Sequence, residues 1–143
     1  MSTVFTKIIE GELPGRFVWK DDQAVAFLSI QPLTHGHVLV VPREEIDHWV
    51  DLPAPLAAHL MAVSQAVGQA IDAAFEPRRV GLMIQGFEVP HAHLHVWPTD
   101  SIAEFSFDQV DRDPDPEGMD RAAEAIRGAL LEAGHREAEA AGA

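Results

Sequence analysis

Residues His91-Ala92-His93-Leu94-His95-Val96-Trp97 alternate imidazoles with mostly apolar side chains, and this period of two constrains the chain more than any other stretch. A β-strand sends successive side chains to opposite faces. Read as a strand, the run puts His91, His93 and His95 on one face and Ala92, Leu94 and Val96 on the other. Same-face neighbours then stand about 7 Å apart, at about 3.3 Å of rise per residue. His37 opens a second predicted strand, with His35 two residues before it.

The rest of the chain supplies partners for that strand. Val4 to Ile9 reads as a short helical turn ended by Gly11 and Pro14. Arg16 to Lys20, Ala24 to Ile30, His37 to Val41 and Arg78 to Gln85 read as further strands, and the closeness of the second and third predicts antiparallel pairing. Pro53 to Phe75 is the clearest helix, with Leu56, Leu60, Val63, Val67 and Ile71 on one stripe. Pro114-Asp115-Pro116 marks a boundary. A second helix follows over Met119 to Leu131, with Ala122, Ile126 and Leu130 inward, and the Ala/Glu-rich tail from Arg136 to Ala143 reads as frayed. The expected class is α+β, an antiparallel sheet with one long helix and a C-terminal helix. The expected division is a domain over residues 1–113 and a helical extension over 114–143 packed on it. A sheet of this size leaves an edge or face open, which predicts a homodimer.

At 143 residues, 47% of them apolar, the chain can build one core. Its net charge of −13, from 23 acidic and 10 basic residues, opposes binding to nucleic acid and to anionic membranes. The lack of cysteine excludes disulfides, thiol catalysis and cysteine-ligated metals. With no long apolar run at the N-terminus or elsewhere, the expectation is a soluble cytoplasmic protein.

Three readings of the histidines compete. They can be core or surface rings without chemistry. They can hold a metal, since residues i and i+2 of a strand make a bidentate pair; the outer two, about 13 Å apart, are too distant to share one ion easily. They can perform nucleophilic catalysis: a neutral imidazole takes up a phosphoryl or nucleotidyl group and later yields it to water. Flanking rings then donate to phosphate oxygens or to a leaving group. Only the last reading employs all three rings.

The run His91 to Pro98 resembles the signature of the histidine triad (HIT) family of nucleotide hydrolases and transferases. Phe5 to Pro14, Ala26 to Pro32 and Gly36 to Pro42 are similar to its other blocks, in the same order, so the likeness spans about Val4 to Pro98. The resemblance implies a dimer and a covalent nucleotidyl–histidine at the α-phosphate of purine nucleoside phosphoramidates or other AMP conjugates. Dinucleoside polyphosphates, or a regulatory role with nucleotide binding and little activity, are the alternatives. It implies His93 as nucleophile, His95 facing the phosphate and leaving group, and His91 and His37 as orienting rings. It also implies that Phe5, Ile8, Phe27, Ile30 and Leu39 enclose base and sugar, and that the Val89 N–H meets phosphate. No cofactor or metal is implied for the reaction.

Departures from the family pattern are specific. Thr3 and Thr6 stand where many members carry two cysteines of a structural zinc site, so that site is expected to be missing. Ser29 replaces an aspartate that commonly grips the ribose hydroxyls. Phe87 and Glu88 replace two polar residues after Gly86, and Gln85 is the nearest counterpart of an asparagine loop. A carboxylate beside phosphate is repulsive unless protonated or paired, so Glu88 is expected either to recognise a cationic leaving group such as an amine or to turn its side chain to solvent.

Overall fold

The structure, a computed structural model, describes residues 2–142. Helix α1 (Val4–Ile9) is followed by strands β1 (Phe17–Lys20), β2 (Ala24–Leu28) and β3 (Val38–Pro42), then helix α2 (Ala54–Phe75), strands β4 (Arg79–Met83) and β5 (Leu94–Thr99), and helices α3 (Pro116–Glu132) and α4 (Glu137–Ala141). The strands form one antiparallel sheet in the order β1-β2-β3-β5-β4. This is the α+β class that the sequence predicts.

Strands β2 and β3 are buried throughout because each face of the sheet meets a different layer. Ala24, Ala26, Leu28, Val38, Val40, Leu94 and Val96 turn toward α2 and α3, where Leu60, Val67, Ile71, Ile126 and Leu130 complete the main core. Val25, Phe27, Leu39 and Val41 alternate to the opposite face and pack with Phe5 of α1 in a smaller cluster. That second layer is only one short helix wide, so part of the sheet face stays uncovered beside it. Thr3 caps α1 by accepting from the Thr6 N–H at 3.1 Å.

Two expectations need correction. The tail over 136–143 is not frayed through its described part: α4 packs on β1 and buries Ala138 and Ala141, whose small side chains permit close approach. Residue 143 lies outside the described residues. The predicted strand over His91 to Trp97 begins in fact at Leu94 and extends to Thr99. Its first three residues leave the ladder because the Ala92 N–H is taken by the Ile46 carbonyl at 2.7 Å and the His91 N–H by the Val89 carbonyl at 2.8 Å. At the turn into β3, Gly36 has φ +97°, and a Cβ there would lie 2.6 Å from the Phe75 ring. Glycine thus fits both the left-handed backbone and the close approach. No helix is long and apolar enough to cross a membrane among the described residues.

Candidate active site

The four histidines are almost fully buried and fall into two layers. His93 and His95 line a cleft of about 660 Å³. His91 and His37 sit behind them, so the three rings of the run do not share one surface as a continuous strand would have arranged them. His91 turns its Nε2–H to the Pro42 carbonyl at 2.8 Å, which leaves Nδ1 to accept from the Thr3 hydroxyl at 2.8 Å.

The hydrogen bonds assign each ring its tautomer. His93 donates Nδ1–H to the His91 carbonyl at 2.7 Å, so its Nε2 carries a bare lone pair. The Leu33 N–H donates to His37 Nδ1 at 2.9 Å. His37 must therefore hold its proton on Nε2, and it donates that proton to His95 Nδ1 at 3.0 Å. His95 in turn keeps its proton on Nε2, a buried atom with no partner among the described residues. The cleft is thus lined by one ring with a bare lone pair and an adjacent ring whose buried N–H has no partner among the described residues, their centroids 4.8 Å apart. Phe5 holds the His93 ring edge-on at 4.8 Å, and Phe107 holds His95 at 5.1 Å.

Burial keeps these rings neutral. Burial, helped by the neighbouring His95 and His93, pushes His37 from 6.5 down to about 3, and burial with His93 does the same to His95. His93 is also lowered, by burial first; its bond to the His91 carbonyl and the nearby Glu88 carboxylate oppose that shift. At neutral pH an unprotonated imidazole, His93, stands beside an uncharged one, His95.

Every sequence-predicted apolar contact reaches the cleft: Phe5, Ile8, Phe27, Ile30 and Leu39 line it, as do Ser29, Glu88 and Val89. Gln85 does not; its Oε1 accepts from the Phe87 N–H at 2.7 Å and so closes its own turn. The sequence reading missed Arg16, Arg112 and Asp120, which also line the cleft. They come from the segment before β1, the loop after β5 and helix α3. No local pattern marks them; only the scarcity of basic residues singles out the arginines.

Thr3, Thr6, Glu45 and His91 form a closed set of hydrogen bonds. Glu45 Oε1 accepts from the Thr6 hydroxyl at 2.7 Å and from the Thr3 N–H at 2.8 Å. These side chains do not fit a structural zinc ion: hydroxyls replace thiolates, and both His91 nitrogens are already engaged. Among the described residues, no group of three or more His, Cys, Asp or Glu side chains is placed to hold a metal.

A small α+β unit that turns a bare imidazole nitrogen and a neighbouring ring N–H into a ligand-sized cleft defines a class of histidine-based ligand-binding proteins. The chain belongs to the histidine triad family, nucleotide-binding and hydrolase-like proteins, whose model, described as the HIT domain, matches residues 10–102. A HIT-like protein of Mycobacterium tuberculosis is 33% identical over 129 residues, 85% of this chain and 90% of that one. The crystal structure of a zinc-bound histidine triad family protein from Mycobacterium smegmatis superposes with a TM-score of 0.81 at 29% identity, covering 96% of this chain and 99% of that one. The adenylylsulfatase HINT3 of Arabidopsis thaliana is 29% identical over 100 residues, 66% of this chain and 51% of that protein.

Proposed function

We propose that the protein transfers a nucleotidyl group from a purine nucleoside 5′-phosphoramidate, or a similar AMP conjugate, first to His93 and then to water. The observation that carries this reading is the fixed tautomer of His93, whose Nδ1–H is held by the His91 carbonyl while Nε2 is left bare beside the cleft. In the first step the Nε2 lone pair bonds to the α-phosphorus as the bond from phosphorus to the leaving nitrogen breaks. His95 Nε2–H donates a hydrogen bond to a phosphoryl oxygen or to that nitrogen, which takes a proton from solvent and departs as the amine. Water then attacks phosphorus, the bond to Nε2 breaks, and AMP leaves while the attacking water gives up one proton to solvent. Apolar walls from Phe5, Ile8, Phe27 and Leu39 take the base. The name of the plant relative, an adenylylsulfatase, agrees with AMP-conjugate chemistry.

A second copy of the chain is the proposed partner. Strand β4 is a free edge of the sheet, and Leu82 on it and Met61 on α2 are 43% and 51% exposed.

His93→Ala tests the assignment. Turnover of an AMP amidate should fall by at least about a thousandfold, as expected when a nucleophile is lost. Thermal unfolding and AMP binding should stay close to wild type. Rapid quenching of the wild-type enzyme should show the mass of one added nucleotidyl group. Wild-type turnover in the variant would refute the role.

A further inference from the structure

The end of the cleft remote from His93 has no part in the chemistry above. Arg16, Ser29, Gln31, Arg112 and Asp120 line it. Two main-chain bonds gather them. The Leu28 N–H donates to the Arg16 carbonyl at 3.0 Å, which sets Arg16 beside the end of β2. The Asp111 N–H donates to the Pro32 carbonyl at 2.9 Å, which sets Arg112 by the loop that follows Ser29. Phe27 pairs with Leu39 and Leu39 with His95, so the Ser29 end of β2 is two strand spacings, about 10 Å, from β5.

This end is rich in donors. Ser29 Oγ accepts from the Gln31 N–H at 3.3 Å, which leaves its hydroxyl hydrogen to give. Arg16 commits Nε to Asp120 at 2.7 Å and Nη2 to the Pro116 carbonyl at 3.4 Å, with Nη1 unengaged among the described residues. Arg112 makes no ion pair or side-chain hydrogen bond among the described residues. Its neighbours Asp111 and Asp113 do not line the cleft, and Asp111 accepts from the Asp113 N–H at 3.0 Å. Two cations against one carboxylate give a local excess of one positive charge, in a chain whose net charge is −13. An unmodified sugar diol can accept from these donors only as a neutral group, whereas a phosphate monoester accepts from them as an anion, the stronger charge-assisted contact. Glu88, close enough to raise the His93 pKa, is the only other charged side chain of the lining among the described residues, so the cleft is polarised.

We propose that the substrate is a nucleoside 5′-conjugate carrying a second phosphate on its sugar, at the 2′ or 3′ oxygen, held by Arg112, Arg16 and Ser29. The inference rests on the hydrolase reading only for placing the 5′-phosphorus at His93.

Calorimetry of AMP, adenosine 2′,5′-bisphosphate and adenosine 3′,5′-bisphosphate with the wild type and with Arg112→Gln tests it. One bisphosphate should bind the wild type about tenfold more tightly than AMP, the gain expected of a charge-assisted contact. Added salt and Arg112→Gln should each shrink that ratio. Equal binding of all three nucleotides, or an unchanged ratio in Arg112→Gln, overturns the proposal. Turnover of an AMP amidate is measured beside it. Turnover without bisphosphate preference overturns this proposal alone. Preference without turnover of the amidate or its sugar-phosphorylated form supports the site for a second phosphate and overturns the hydrolase reading instead.

Discussion

Acidification from pH 7 to pH 5 should destabilise the fold through the two buried rings His37 and His95. Each is held from an ordinary 6.5 down to about 3 in the folded chain. In the unfolded chain both take up protons as the pH drops below 6.5; in the folded chain they do not until near 3. The unfolded state therefore binds more protons across that window, and stability falls as pH falls. At pH 5, about 1.5 units below the ordinary value, the loss is about 2 kcal/mol for each ring at 1.36 kcal/mol per unit. That is a large share of the 5–15 kcal/mol typical of a domain. Urea unfolding at the two pH values measures it. His37→Gln is the control, because an amide can replace both ring hydrogen bonds without titrating there. Its stability should drop by about 2 kcal/mol less than that of the wild type over the same interval. Carboxylates, with ordinary values near 4, stay mostly ionised in this range and are common to both proteins. Equal losses in the two proteins would refute the assignment of His37 as a buried neutral ring.

Glu88→Gln should slow hydrolysis of amine conjugates more than that of conjugates with neutral leaving groups, and equal losses on both would remove the amine preference. The same variant lacks a charge that raises the His93 pKa, so the acid limb of its kcat/KM profile should move to lower pH. Chelator treatment should leave turnover unchanged, since a histidine nucleophile needs no ion; a loss restored by added metal would favour metal hydrolysis. Leu82→Arg on the free edge of β4 should convert a dimer to a monomer in light scattering, and an unchanged mass would move the interface elsewhere.

The strands were legible because Ala24 to Leu28 and Val38 to Val41 are nearly continuous apolar runs between turn residues, the mark of strands covered on both faces. The stripe Leu56, Leu60, Val63, Val67 and Ile71 foretold the buried side of α2. The histidine run was legible in type but not in extent. Period two cannot reveal that Ile46 captures the Ala92 amide and turns His91 away from the cleft. The tail was misread because alanine and glutamate describe a free helix and a docked one alike; contact with β1 decides between them. Arg16 and Asp120, which form an ion pair across 104 positions, meet only through tertiary packing. No sequence pattern announces such a pairing.

The main-chain amide of Leu33 starts a relay of hydrogen bonds that ends at His95. An amide neither gains nor loses a proton in the working range of an enzyme, so it acts as a one-way valve. The two imidazoles cannot exchange roles, and the ring nearest the ligand always offers hydrogen rather than a lone pair. Control over that polarity thus lies in a main-chain amide outside the cleft lining. Proline at residue 33, which deletes the N–H, would let both rings reverse.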